Sequence, residues 1–161
     1  MNSTAPILRE AQLHPRSRHH EAVHVVQRTS RCIDAELGRL LVQHGLTLAQ
    51  YNVLRILRDA RATAIATLAI AESMVDRTPG ITRLLDRLER QSLVRRERGR
   101  DRRQVLCRLT PIALELLEIL DPQILSLEER VFHSLTLNEV GALTHLLNRV
   151  CATIGSQIRN Q

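Results

Sequence analysis

Between Thr78 and Pro111 the chain reads TPGITRLLDRLERQSLVRRERGRDRRQVLCRLTP, and within this stretch the apolar period changes. Ile81, Leu84, Leu85 and Leu88 recur at i, i+3, i+4 and i+7, the spacing of a helix with one packed face. Pro79, Thr82, Arg83, Asp86 and Arg90 fall on the opposite face. After Gln91 the pattern becomes that of strands: Val105, Cys107 and Leu109 alternate as in a half-buried strand, and the run around Gly99 fits an arginine-rich hairpin tip. Thr110-Pro111 then pairs an N-cap hydroxyl with proline at the first helical position, as does Thr78-Pro79, so helices are predicted to begin at both sites. A helix, a hairpin and another helix must follow one another with almost no connecting chain, and few folds allow that.

The flanking sequence is helical in character. Residues 1–18 hold two of the five prolines and no apolar period, so a flexible arm is expected. From about His19, the positions Val23, Val26, Ile33, Leu37, Leu40 and Leu41 mark a long helix that ends at Gly45. Thr47 can cap a second helix, with Tyr51, Leu54 and Leu57 on one face, and a short third helix covers about Ile65 to Met74. The Leu-rich helix from Thr110 is expected to kink or break at Asp121-Pro122 before resuming through Val131. Thr136 and Glu139 form a capping box for a last helix that runs to about Ile158.

These elements predict a mainly α fold with a small β-hairpin wing. It is a winged helix-turn-helix over residues 46–110, bracketed by a first dimerisation helix, 19–45, and C-terminal dimerisation helices, 111–161. With one Tyr, one Phe and no Trp, the core is left to Leu, Ile, Val and Ala. The terminal helices carry more apolar positions than so small a core can cover, which points to a homodimer. No run of 18 apolar residues occurs, and the N-terminus lacks the order of a signal peptide, so a cytoplasmic protein without membrane insertion is expected. Cys32, Cys107 and Cys151 are odd in number and far apart, and are read as reduced, mostly buried, small apolar residues.

Charge adds a function to this architecture. The 32 residues from Arg77 to Arg108 hold 11 arginines against four acids, a local charge of +7, while the rest carries 12 arginines against 13 acids. All 23 basic side chains are Arg, whose planar fork matches phosphate oxygens and guanine edges. A helix fits the major groove, and basic residues of an adjoining hairpin reach phosphates or the minor groove. The excess charge thus lies on the two elements a reader of double-stranded DNA would use.

At this point the sequence resembles the MarR family of bacterial transcriptional regulators, over about residues 25–150. The matching stretches are GLTLAQYNVLRIL, RTPGITRLLDRLERQSLV and DRRQVLCRLTP. The resemblance implies a homodimeric regulator, a repressor that binds a pseudo-palindromic operator and is released by a small, aromatic, anionic effector. The implied recognition-helix contacts are Thr78, Pro79, Gly80, Thr82, Arg83 and Arg87, and the wing contacts are Arg98, Arg100, Asp101, Arg102 and Arg103. Asp101 would orient its neighbours while Arg103 enters the minor groove. Arg28 and Arg31 match first-helix positions that meet the effector in some members; the alternative is that both pair with acids across the dimer. Two departures stand out: Ser92 replaces the glycine that usually ends the recognition helix, and Ala113 replaces the glycine usual after LTxx. A left-handed Ser92 would be strained by roughly 1 kcal/mol.

Other classes fit less well. No nucleophile-base-orienter set, phosphate loop or HExxH is visible, so an enzyme is not expected and no cofactor is implied. A winged helix that docks protein or RNA without operator specificity suits the fold, but docking surfaces centre on apolar or aromatic anchors rather than on charge. His20 and His24 stand at i, i+4, yet no third ligand is evident, so no metal is expected. Cys32 lies too far along the first helix for the sensing position of peroxide-responsive relatives, and Tyr51 is the one tyrosine.

Overall fold

The computed structural model describes residues 17–60, 63–74, 80–99 and 104–159. The elements are α1 (Arg18–Val42), α2 (Leu48–Asp59), β1 (Ile65–Ala66), α3 (Thr67–Ser73), α4 (Ile81–Arg90), β2 (Val94–Arg98), β3 (Val105–Leu109), α5 (Pro111–Val131) and α6 (Leu137–Arg159). The chain divides into two compact units, Met1–Ala35 and Glu36–Gln161, with the boundary inside α1. In the first unit the described residues from Arg18 onward are helical, and Val23, Val25 and Val26 are exposed.

The second unit holds the core. Tyr51, Val53, Leu54 and Leu57 of α2 share it with Ile70 of α3, Leu85 and Leu88 of α4, Cys107 of β3, and Leu117 and Leu120 of α5. Thr47 and Gln50 make a full capping box at the start of α2: Gln50 N–H donates to Thr47 Oγ1 at 3.3 Å, and Thr47 N–H donates to Gln50 Oε1 at 2.9 Å. Thr110 Oγ1 accepts from Ala113 N–H at 3.2 Å with proline following, as the sequence predicts. The box at Thr136 and Glu139 also forms, with Thr136 N–H donating to Glu139 Oε2 at 2.8 Å.

Several expectations are corrected. Ile65 and Ala66 are not helical but pair antiparallel with Cys107 and Leu106, so the hairpin gains a third strand in the order β1-β3-β2. A strand of two residues is too short to show a period. Helix α4 begins at Ile81 rather than at Pro79, because Gly80 has φ +109°, which no right-handed helix contains. Pro122 does not break α5: Leu117 and Leu120 before it and Ile124 and Leu127 after it are all buried. Their burial outweighs the cost of about 3 kcal/mol for an interior proline. Val105 is exposed although Cys107 is buried, so only the inner half of β3 follows the predicted alternation. Finally, only Cys107 is a buried cysteine in the chain; Cys32 and Cys151 are exposed.

Candidate nucleic-acid interface

Helix α4 presents its charge because its apolar face is used up. Leu85 and Leu88 are fully buried, whereas Thr82, Arg83, Arg87 and Arg90 are exposed on the other side. At its start, Gly80 takes a left-handed conformation that an L side chain rarely adopts, and no side chain caps the helix. Its end is a Schellman-type turn: Ser92 N–H donates to Glu89 O and Leu93 N–H to Leu88 O, both at 2.9 Å. Ser92 sits at φ 58° there, the strained cap expected from the missing glycine. Thr110 Oγ1 donates to Ser92 O at 2.7 Å, tying the end of α4 to the start of α5.

The hairpin follows at once. Strands β2 and β3 pair from Val94 with Leu109 to Arg98 with Val105, and Gly99 N–H donates to Gln104 O at 2.9 Å to close the described part of the turn. Arg98 is exposed at this outer end. Thr78 and Pro79 before α4, and Arg100, Asp101, Arg102 and Arg103 in the wing tip, lie outside the described residues.

The arginine that joins the two elements is Arg96, which the sequence alone predicts, with Arg95, to flank the sheet rather than read bases, without indicating its partners on α4. Arg96 of β2 is largely covered, and its Nη2 bonds the Asp86 carboxylate of α4 and, at 3.4 Å, the Thr82 carbonyl. Its Nε lies 3.4 Å from Glu89 Oε2, within charge attraction but without hydrogen-bond geometry. One guanidinium therefore spans two carboxylates of α4 and fixes the wing against it. A signal existed: Val94 is buried, and two residues on in a strand returns to the same face. Cys107 packs inside this junction, and burial pushes its thiol up, so the reactive thiolate is scarce.

Arg28 and Arg31 are exposed on α1, where they line one groove with His20, Glu21, His24 and Val25. No described helix is long and apolar enough to cross a membrane.

A model of the MarR family matches residues 46–105, from the loop before α2 into β3. A MarR transcription factor from Planctomyces limnophilus is 36% identical, with 80% of this chain and 93% of that one covered and a TM-score of 0.63. The chain belongs to the MarR family. It is thus a DNA-binding transcription regulator with a winged-helix fold, and not an enzyme. A MarR variant from E. coli, solved in complex with operator DNA, is 28% identical over 81% of this chain and 93% of its own, with a TM-score of 0.73. A third structure, of Bordetella bronchiseptica BpsR, whose DNA binding is regulated by 6-hydroxynicotinic acid, is 26% identical. It covers 81% of this chain and 98% of its own at a TM-score of 0.72.

Proposed function

We propose that this MarR-family regulator is a homodimeric, cytoplasmic repressor that binds a pseudo-palindromic operator and is released by a small aromatic anion. The observation that carries the reading is the exposed arginine face of α4, Arg83 and Arg87, held by Arg96 against a wing in the most basic stretch of the chain. In this reading Thr82, Arg83 and Arg87, with Thr78, Pro79 and Gly80, face the major groove. Arg98, Arg100, Arg102 and Arg103 serve phosphates and the minor groove, with Asp101 shaping the tip. The operator complex of the E. coli relative supports the mode of binding.

A dimer is supported by apolar surface. Leu146, Val150 and Ile154 of α6 stand 53%, 55% and 52% exposed at i, i+4 and i+8, a stripe that a second copy can cover. Two-fold symmetry then presents two recognition helices to two half-sites, hence the pseudo-palindrome. The effector reading rests on Arg28 and Arg31 in one groove and on the BpsR relative. Bidentate pairing by an arginine would hold a carboxylate.

The test is an electrophoretic shift with DNA from upstream of the protein's own gene, against random DNA, at two salt concentrations. Specific binding that survives the higher salt while random binding fades is expected. Equal loss on both DNAs would mean a basic surface without operator specificity.

A further inference from the structure

We propose that His20 and His24 form a binding site for a divalent transition-metal ion on the surface of α1. The two side chains lie one helical turn apart, and their Nε2 atoms converge to 3.0 Å with the ring planes at 74°. Two neutral imidazoles approach this closely when one Nε2 carries a hydrogen and the other offers its lone pair. That arrangement is also a bite. A metal bound to imidazole nitrogen at about 2.0–2.1 Å spans atoms at this separation with an angle of about 95°. Such an angle lies between the square and tetrahedral arrangements, so the nitrogen separation suits an ion once the rings turn both lone pairs toward it.

On binding, the one Nε2 proton shifts to Nδ1 of the same ring through solvent, both rings remain neutral, and each donates a lone pair. The main chain is prepared as well, since His20 N–H donates to Ser17 Oγ at 3.2 Å in the first turn of the helix. Imidazole ligands select zinc, copper and nickel over magnesium and calcium, which prefer oxygen. No group of three or more His, Cys, Asp or Glu ligands occurs among the described residues. The absence of a third protein ligand is what argued against a metal from sequence, but a two-nitrogen chelate does not require one. Both histidines are exposed, so water fills the remaining positions of the ion.

The experiment uses the full chain without an affinity tag. Zinc chloride is titrated calorimetrically, and copper(II) is followed by paramagnetic resonance, which reports the number of bound nitrogens. The decisive variant exchanges neighbours, His24→Val with Val25→His, keeping all seven histidines and both exposed positions but moving the ring to i+5 from His20, off its face. His20→Gln serves as a second variant should the exchange disturb the helix. The wild type should bind one ion per chain with micromolar affinity, and both variants should bind at least about tenfold more weakly. The copper signal should fall from two nitrogens to one in each. Wild-type affinity in either variant, an unchanged copper signal, or no micromolar binding by the wild type would overturn the proposal.

Discussion

Ser92→Gly should stabilise the protein, and the gain can be worked from the backbone. Among the described residues Ser92 alone combines a side chain with positive φ, at 58°. An L residue in this region costs about 1–2 kcal/mol relative to the right-handed one. Glycine removes that cost but returns about 0.4–1 kcal/mol through a freer unfolded chain. The net gain therefore lies between about 0 and 1.6 kcal/mol, and is about 0.8 kcal/mol at the midpoints of the two ranges. Neither the bond from Ser92 N–H to Glu89 O nor the one from Thr110 Oγ1 to Ser92 O involves the Ser92 side chain, so glycine preserves both. For a chain of this length 1 kcal/mol moves the melting midpoint by about 2–4 °C, measurable by far-ultraviolet circular dichroism at one fixed protomer concentration. Ser92→Ala keeps a Cβ and should gain nothing. Gly45→Ala is the mirror experiment: at φ 70° an added Cβ meets nothing within 4 Å, so only backbone strain is introduced and the midpoint should fall. If Ser92→Gly leaves the midpoint unchanged or lowers it, while Gly45→Ala lowers it, strain at the end of α4 is not what Ser92 contributes.

Arg83→Ala should cost about 1–3 kcal/mol on the specific operator and much less on random DNA, measured by fluorescence anisotropy; equal losses would reduce Arg83 to a phosphate contact. Asp86→Asn removes a negative charge near the interface yet should weaken operator binding, because Arg96 loses a partner that sets the wing; tighter binding would show that bulk charge governs. If Arg31 binds the effector, a salicylate-like acid should release wild-type protein from DNA but not a dimeric Arg31→Ala variant, and release of that variant would refute the assignment. Glu139 is held below the ordinary glutamate range, first by Thr136 N–H and then by its hydroxyl, so its stabilising share is full above that range and is lost as pH falls through its own lower value. Glu139→Ala should thus melt lower than wild type at pH 7, with the gap closing below about pH 4.

Much of the fold was legible because the signals were local. The caps at Thr47, Thr110 and Thr136 and the apolar stripe of α4 each depend on residues within a turn or two of one another, and all form as read. What escaped depends on partners distant in sequence. Strand β1 exists only because β3, about 40 residues on, offers it a free edge. Pro122 reads as a breaker until the burial on both sides of it is known. Arg96 reads, with Arg95, as flanking the sheet, but nothing local distinguishes an arginine that turns inward onto Asp86 from one that faces solvent. The start of α4 was misread for another reason: Thr78-Pro79 satisfies the local rule for a helix start, and Gly80, one residue on, overrides it with a positive φ.

The junctions bear on the proposed role of α4 as a reader. Buried Leu85 and Leu88 fix the rotation of the helix about its axis, but leucines repeat along a helix and resist sliding poorly. If α4 is to meet particular base edges, as proposed, a slide matters as much as a turn. Here polar groups oppose it. At the C-terminal end, Gln91 Oε1 accepts from the Nε2 of buried Gln50 at 2.9 Å, and Gln91 Nε2 donates to Gly45 O at 3.2 Å. Along the side, Arg96 grips Asp86 and the Thr82 carbonyl. Gln50 is already committed to Thr47 N–H through its own oxygen, so a shift of α4 would leave its buried N–H without a partner, at a cost of about 1–3 kcal/mol. Hydrogen bonds are directional where leucine packing is not, and they therefore set the position of Arg83 and Arg87 along the helix axis, while the core sets which way they face.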